Sequence, residues 1–338
     1  MTSLPSRPLG RTGMAISRVG IGAWAFGGGG WVDTWGAQED ALSDGAVRAA
    51  IERGVNWIDT APIYGLGHAE EVVGGALRRI PAGERPYVFT KAGVIWDPQR
   101  PHDKPALVGH PASIRRELED SLQRLGLDRI DLYQVHAPPT DGTPLEEYWQ
   151  TFCDLRREGK VRAIGLSNHD VAQLDAAEAV GRVDAVQPRF NLIHRNAVDV
   201  LAWSAAHAAG AIVYSPMASG LLSGSFTAAR AAALDEDDWR RRHPDFTGDA
   251  LARNLALAEA LGPIAARHGV TIAAVAVAWT LAFPGVTGAI VGIRRASQLD
   301  AWLSAASLAL DDSDLSQIAE AVERTGAGSG PALPAHAV

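Results

Sequence analysis

Eight short runs of Val, Ile and aromatic residues recur along the chain, most followed by a stretch with helical spacing. This alternation limits what the chain can fold into more than any other feature. The runs are Arg18–Gly22, Val55–Ile58, Tyr87–Thr90, Ile130–Val135, Val161–Gly165, Ala185–Gln187, Ala211–Tyr214 and Ala289–Gly292. Most are continuously apolar rather than alternating, as expected of strands covered on both faces. Helical patterns separate them at Glu39–Arg53, Glu70–Arg79, Ser113–Leu125, Leu145–Glu158, Val171–Ala179, Ala197–Ala208 and Leu251–His268. Gly54, Gly126, Gly159 and Gly210 stand where a helix should stop before the next strand. Repeated strand–helix units predict a parallel sheet, and eight of them predict a closed (β/α)8 barrel, because closure removes both edges. An open doubly wound sheet is the rival. It would carry Gly-x-Gly-x-x-Gly between a strand and a helix. Gly27–Gly30, a run of four glycines, has no helix start behind it.

Length agrees with one such barrel plus insertions: 338 residues, 47% of them apolar. The expected organisation is a barrel over residues 1–324 and a flexible tail over 325–338. Leu9-Gly10-Arg11-Thr12-Gly13 reads as a hairpin turn closing the barrel floor, and Ser223–Asp249 as a long polar insertion over the mouth after the seventh strand. A net charge of −8, with basic runs no longer than Arg240-Arg241-Arg242, argues against nucleic-acid binding. Cys153 is the single cysteine, so no internal disulfide can form. Met1–Leu9 lacks an apolar signal segment, and the longest apolar stretch, Thr271–Phe283, is too short to span a bilayer. A soluble, cytoplasmic protein without a membrane partner is expected.

In barrels of this kind chemistry is built where the strands end. The first run is followed by Ala23-Trp24, and the second by Asp59 with Tyr64 five residues on. The third is followed by Lys91 and the fourth by His136; the fifth leads to Ser167-Asn168, the sixth ends at Gln187, and the seventh runs through Tyr214 into Ser215-Pro216-Met217. The eighth leads into Gly292-Ile293-Arg294. Four of these groups form a chemical set. A phenol with pKa near 10 is a poor acid at neutral pH. An ammonium beside it lowers that pKa, so Lys91 can activate Tyr64, while Asp59 keeps Lys91 charged. His136 can hydrogen-bond a substrate oxygen and polarise a carbonyl.

These residues match a known family. Asn56-Trp57-Ile58-Asp59-Thr60-Ala61-Pro62-Ile63-Tyr64-Gly65, Thr90-Lys91-Ala92-Gly93 and Asp131-Leu132-Tyr133-Gln134-Val135-His136 resemble motifs of the aldo-keto reductases. Gly159–Asn168, and Tyr214–Met217 with Gly220–Gly224, are similar to its fifth-strand and cofactor-loop motifs, in family order from Leu9 to Trp302. The likeness is greatest to the bacterial branch with general-stress and polyol-linked reductases. It implies a catalytic tetrad of Asp59, Tyr64, Lys91 and His136 and no metal. It also implies NADP(H) across the mouth, with Ser167, Asn168 and Gln187 on the carboxamide and Tyr214 stacked on the nicotinamide. Ser215, Met217 and Gly220 would meet the pyrophosphate. Gly292, Arg294 and Gln298 would meet the phosphate and adenine end, with Ala23 and Trp24 also near the cofactor. Ser225 stands where the family commonly has Lys, a loss that Arg240 can make good. Ala301 and Trp302 are apolar where the family usually grips adenine with polar groups.

Trp24, Tyr64, Trp96 and His136 are the expected substrate contacts, with Trp31 and Trp35 on neighbouring mouth loops. The implied activity is reduction of aldehydes or ketones, or oxidation of alcohols or polyols. Two other readings remain open. One is an aldolase-type barrel using Lys91 as a Schiff base. The other is a nicotinamide-loaded regulatory subunit with little turnover.

Overall fold

The computed structural model describes residues 4–333. Its centre is a closed barrel of eight parallel strands. In chain order they are β1 (Val19–Gly22), β2 (Trp57–Asp59), β3 (Tyr87–Ala92), β4 (Ile130–Val135), β5 (Val161–Ser167), β6 (Ala185–Gln187), β7 (Gly210–Tyr214) and β8 (Val286–Gly292). Each pairs with the next, and β8 returns to β1 in the register Ala289↔Val19 to Gly292↔Gly22. The expected (β/α)8 barrel is therefore the fold. Several strands run past the apolar run that marked them. Asp59, Lys91 and Ser167 are polar, yet their backbones stay in the ladder.

The lower barrel is filled by Trp57, Phe89, Leu132, Ala163, Ala185, Ile212 and Ile290. Leu9, Met14 and Ile16 join them from the N-terminal hairpin, in which Ser6–Pro8 pairs antiparallel with Ala15–Ser17. The Trp57 indole donates to the Ser17 carbonyl at 2.8 Å and ties this plug to β2. Helices such as Pro111–Leu125 form the outer ring. That helix buries Ile114, Leu118, Leu122 and Leu125 at helical spacing, and each such side chain contributes about 1.5–3 kcal/mol.

One reading changes, and two helices are added. The single helix expected over Leu251–His268 is two, Gly248–Ala260 and Gly262–His268, because Pro263 opens the second. The apolar stretch Thr271–Phe283 holds a helix, Ile272–Ala282, buried from Ala273 to Leu281 inside the fold. Another helix, Asp312–Thr325, carries a capping box between Asp311 and Asp314. The start of the expected flexible tail is tied down. Ser329 N–H donates to the Ile193 carbonyl, and Arg195 donates to Ser329 and Gly330 carbonyls. The rest of the tail, residues 334–338, lies outside the described residues. Among the described residues no single helix is long and apolar enough to cross a membrane.

Candidate active site

The strand ends β1–β8 open into a cavity of about 520 Å³. Asp59 ends β2, Lys91 lies near the end of β3, His136 follows β4, and Tyr64 sits on the loop after β2. That loop is pressed against the loop after β1. A Cβ on Gly27 would sit 2.4 Å from Gly65 N, and one on Gly65 would sit 2.2 Å from the Gly27 carbonyl oxygen. Only two glycines allow the backbones this close.

Lys91 Nζ donates to Asp59 Oδ1 at 2.5 Å and to the Thr60 carbonyl at 2.9 Å, and stands 5.4 Å from the Tyr64 ring centroid. The His136 ring lies 5.8 Å from that of Tyr64 and perpendicular to it. Asp59 Oδ2 accepts from Gln187 Nε2 at 2.8 Å and Gln134 Nε2 at 3.3 Å. The buried carboxylate is therefore fully partnered. Gln134 was not among the sequence candidates. Its signal was period-2 placement: Leu132 faces the barrel interior, while Tyr133 between them turns out to donate to the Ile114 carbonyl.

The electrostatics depart from expectation at one point. Lys91 was expected to draw the Tyr64 phenol down. Instead the phenol stands well above its ordinary range, through burial first and then the Asp59 charge. Asp59 lies directly against Lys91 and offsets its field. Burial also lowers Lys91, against the pull of Asp59. His136 is held well below its ordinary value by burial and by Lys91, so its imidazole is neutral at physiological pH.

Trp24, Asp59, Tyr64, His136, Ser167, Asn168, Gln187 and Tyr214 line the cavity, as do Ser215, Met217, Gly220, Arg240, Gly292, Arg294 and Gln298. Three candidates do not. Ala23 is buried and spends its N–H on the Asp59 carbonyl at 2.9 Å. Lys91 lies beneath the cavity floor, fully buried. Trp96 is half-buried and packs on the cluster of Trp31, Ala61, Ile63 and Val94.

Toward β5–β7, the Tyr214 hydroxyl donates to Asn168 Oδ1 at 2.9 Å, Asn168 Nδ2 donates to the His136 carbonyl, and the Ser167 hydroxyl donates to the Gln187 carbonyl. Asn168 and Ser215 hold φ of +61° and +58°, a strained conformation that recurs at functional sites. His169 bridges behind them. Its Nδ1–H donates to the Ser167 carbonyl at 2.8 Å, and Nε2 accepts from the Tyr148 hydroxyl at 2.9 Å. Burial lowers its pKa to about 4.

At the far end three cations line the cavity: Arg230, Arg240 and Arg294. Arg230 was missed, since nothing in the insertion distinguished it from its neighbours. Arg240 is seated by Asp238 (Nη2–Oδ2 2.6 Å) and lies 4.6 Å over the Trp35 ring. Arg294 bonds Gln38 Oε1 at 2.8 Å, and the Gln298 side chain accepts from its N–H at 2.7 Å. Burial and the Arg240 charge both lower Arg294. This end of the cavity has a place for a multivalent anion.

A family model described as the aldo/keto reductase family matches residues 18–323. The chain is 34% identical to the aldo-keto reductase YhdN of Bacillus subtilis, over 93% of this chain and 92% of that protein. It is 32% identical to an NADH-specific methylglyoxal reductase of Escherichia coli, over 94% and 99%. Among solved structures it resembles a glycerol dehydrogenase from Gluconobacter oxydans, with TM-score 0.85, 33% identity and 98% of each chain covered.

Proposed function

The chain belongs to the aldo/keto reductase family of oxidoreductases, and on that footing we propose an NADP(H)-dependent enzyme that reduces aldehydes or ketones and, in reverse, oxidises alcohols or polyols. The observation that carries the proposal is the convergence of four groups at one barrel end. Tyr64 and His136 line the cavity, and the buried Asp59–Lys91 pair lies directly under Tyr64. When bound, the reduced nicotinamide supplies the hydride that goes to the carbonyl carbon. Tyr64 gives its proton to the carbonyl oxygen, and its raised pKa keeps that proton available at neutral pH. Neutral His136 donates a hydrogen bond to the same oxygen. Lys91 stays paired beneath the floor and orients the phenol, a placement that disfavours an imine-forming lysine.

The lining fits the cofactor. Ser167, Asn168 and Gln187 present amide and hydroxyl groups suited to a carboxamide, and Tyr214 presents a ring. Ser215, Met217 and Gly220 offer backbone to the pyrophosphate. Arg230, Arg240 and Arg294 suit the 2′-phosphate, with Gly292 and Gln298 beside them. This cluster favours NADP(H), although a relative is named as NADH-specific. Trp24 and His136 border the substrate. Relatives named for methylglyoxal and glycerol make small carbonyls and polyols the first substrates to try.

The test is a fluorescence titration with NADPH and NADH, followed by an aldehyde, ketose and polyol panel. NADPH binding at least about tenfold tighter, with turnover of some carbonyl, is expected. Tight NADPH binding with no turnover of any substrate would overturn the enzymatic reading.

A further inference from the structure

We propose that Trp239 is a positioning residue for the reaction: by stacking on Trp24 it sets how Trp24 lies against Tyr64, and so how wide a carbonyl substrate the mouth admits. The inference rests on the reading of the site as a carbonyl reductase.

Three rings lie in near-parallel series. Trp239 and Trp24 are 5.4 Å apart at 15°, and Trp24 and Tyr64 are 6.0 Å apart at 19°. Trp24 and Tyr64 line the cavity, whereas Trp239 does not. Any effect of Trp239 on a substrate must therefore pass through Trp24. Besides packing on the cluster of Trp31, Ala61, Ile63 and Val94, Trp24 is held by one hydrogen bond from its indole N–H to the Asp33 carbonyl at 3.1 Å and by an edge contact with Trp35 at 5.3 Å.

Trp239 is firmly seated. His243 and Phe246 meet its ring edge-on at 5.2 and 5.9 Å, and Trp35 does so at 5.5 Å. Its indole nitrogen is buried and makes no hydrogen bond, so the ring is oriented by packing alone. Its two chain neighbours, Asp238 and Arg240, form a buried ion pair that fixes the backbone between them. One short segment of the insertion therefore delivers a cation to the phosphate end and a stacking plane to the substrate end.

Removing the Trp239 ring frees Trp24 to swing back into the vacated space and widens the room over Tyr64. Stacked aromatic pairs are worth about three- to tenfold in an equilibrium, which sets the size of the effect. The experiment compares native protein, Trp239→Ala and Trp239→Phe, measuring kcat/KM with NADPH for propanal and 2-naphthaldehyde, and NADPH affinity by fluorescence. In Trp239→Ala the naphthaldehyde-to-propanal ratio should rise about three- to tenfold. Trp239→Phe, which keeps a stacking ring, should stay near native. NADPH affinity should hold within about threefold in both, since Arg240 and Asp238 remain. An unchanged ratio in Trp239→Ala, the same shift in Trp239→Phe, or a lost NADPH affinity that accounts for the change would each overturn the assignment. Native protein that binds NADPH yet turns over neither aldehyde, nor any other carbonyl, would overturn the reductase reading and this inference with it.

Discussion

Replacing Lys91 with Met isolates the ion pair on which the site is built. The Lys91 and Asp59 side chains are 1% and 3% exposed, and among the described residues the ammonium is the only cation on the carboxylate. Removing it leaves a buried charge held by two amides, from Gln187 and Gln134. Breaking a buried pair from one side costs about 3–5 kcal/mol. The surviving amide donors place this case at the low end, about 3 kcal/mol. Met fills nearly the same volume, so little cavity cost is added. In a chain of this length that is a fall in Tm of roughly 4 °C. Adding Asp59→Asn removes the stranded charge while keeping the shape, so the double variant should recover much of the loss. Urea unfolding of native, both singles and the double closes the cycle. A Lys91→Met variant within about 0.5 kcal/mol of native, or a double variant equal to the sum of the singles, would refute a coupled buried pair.

Two further outcomes follow from other parts of the site. Arg294→Ala should raise KM for NADPH by about tenfold or more while moving KM for NADH little, because the partner proposed for this guanidinium is the extra phosphate, which NADH lacks; equal effects on both cofactors would contradict that placement. His169 is buried and neutral, with its pKa lowered from 6.5 to about 4. Its unfolded form takes up a proton first, so stability should fall as pH drops from about 6.5 to 4, by up to roughly 3 kcal/mol. Urea unfolding at pH 7 and pH 4 should show this, and His169→Gln should flatten the difference; an equally steep loss in the variant would place the acid sensitivity elsewhere.

The barrel was legible because its strands are buried on both faces and so appear as unbroken apolar runs. Ile130–Val135 and Ala185–Gln187 were read to the residue. What blurred was where polarity enters the ladder. The third run was read as ending at Thr90, before the charged side chain, but the backbone of β3 continues through Lys91 to Ala92. The helix Asp312–Thr325 escaped because it covers the outside of a barrel already complete in strands. The tetrad residues could be named from what stands at each strand end, yet their electrostatics could not. The Tyr64 phenol is raised by its burial first and then by the Asp59 charge, and spacing encodes neither the depth of the ring nor the contact between Asp59 and Lys91. Gln134 was within reach of period-2 reasoning. Trp239 and Arg230 were not, since they come from a 27-residue polar insertion whose folding over the mouth is tertiary.

The role of Tyr64 as proton donor is tested most directly by Tyr64→Phe, measured with an aldehyde that the native protein reduces. Turnover should fall by about 10²–10⁴-fold while NADPH affinity stays within about twofold of native, since the ring and its stack on Trp24 remain. A variant that keeps native turnover would show that the proton comes from another group, and the proposed chemistry of this site would be wrong.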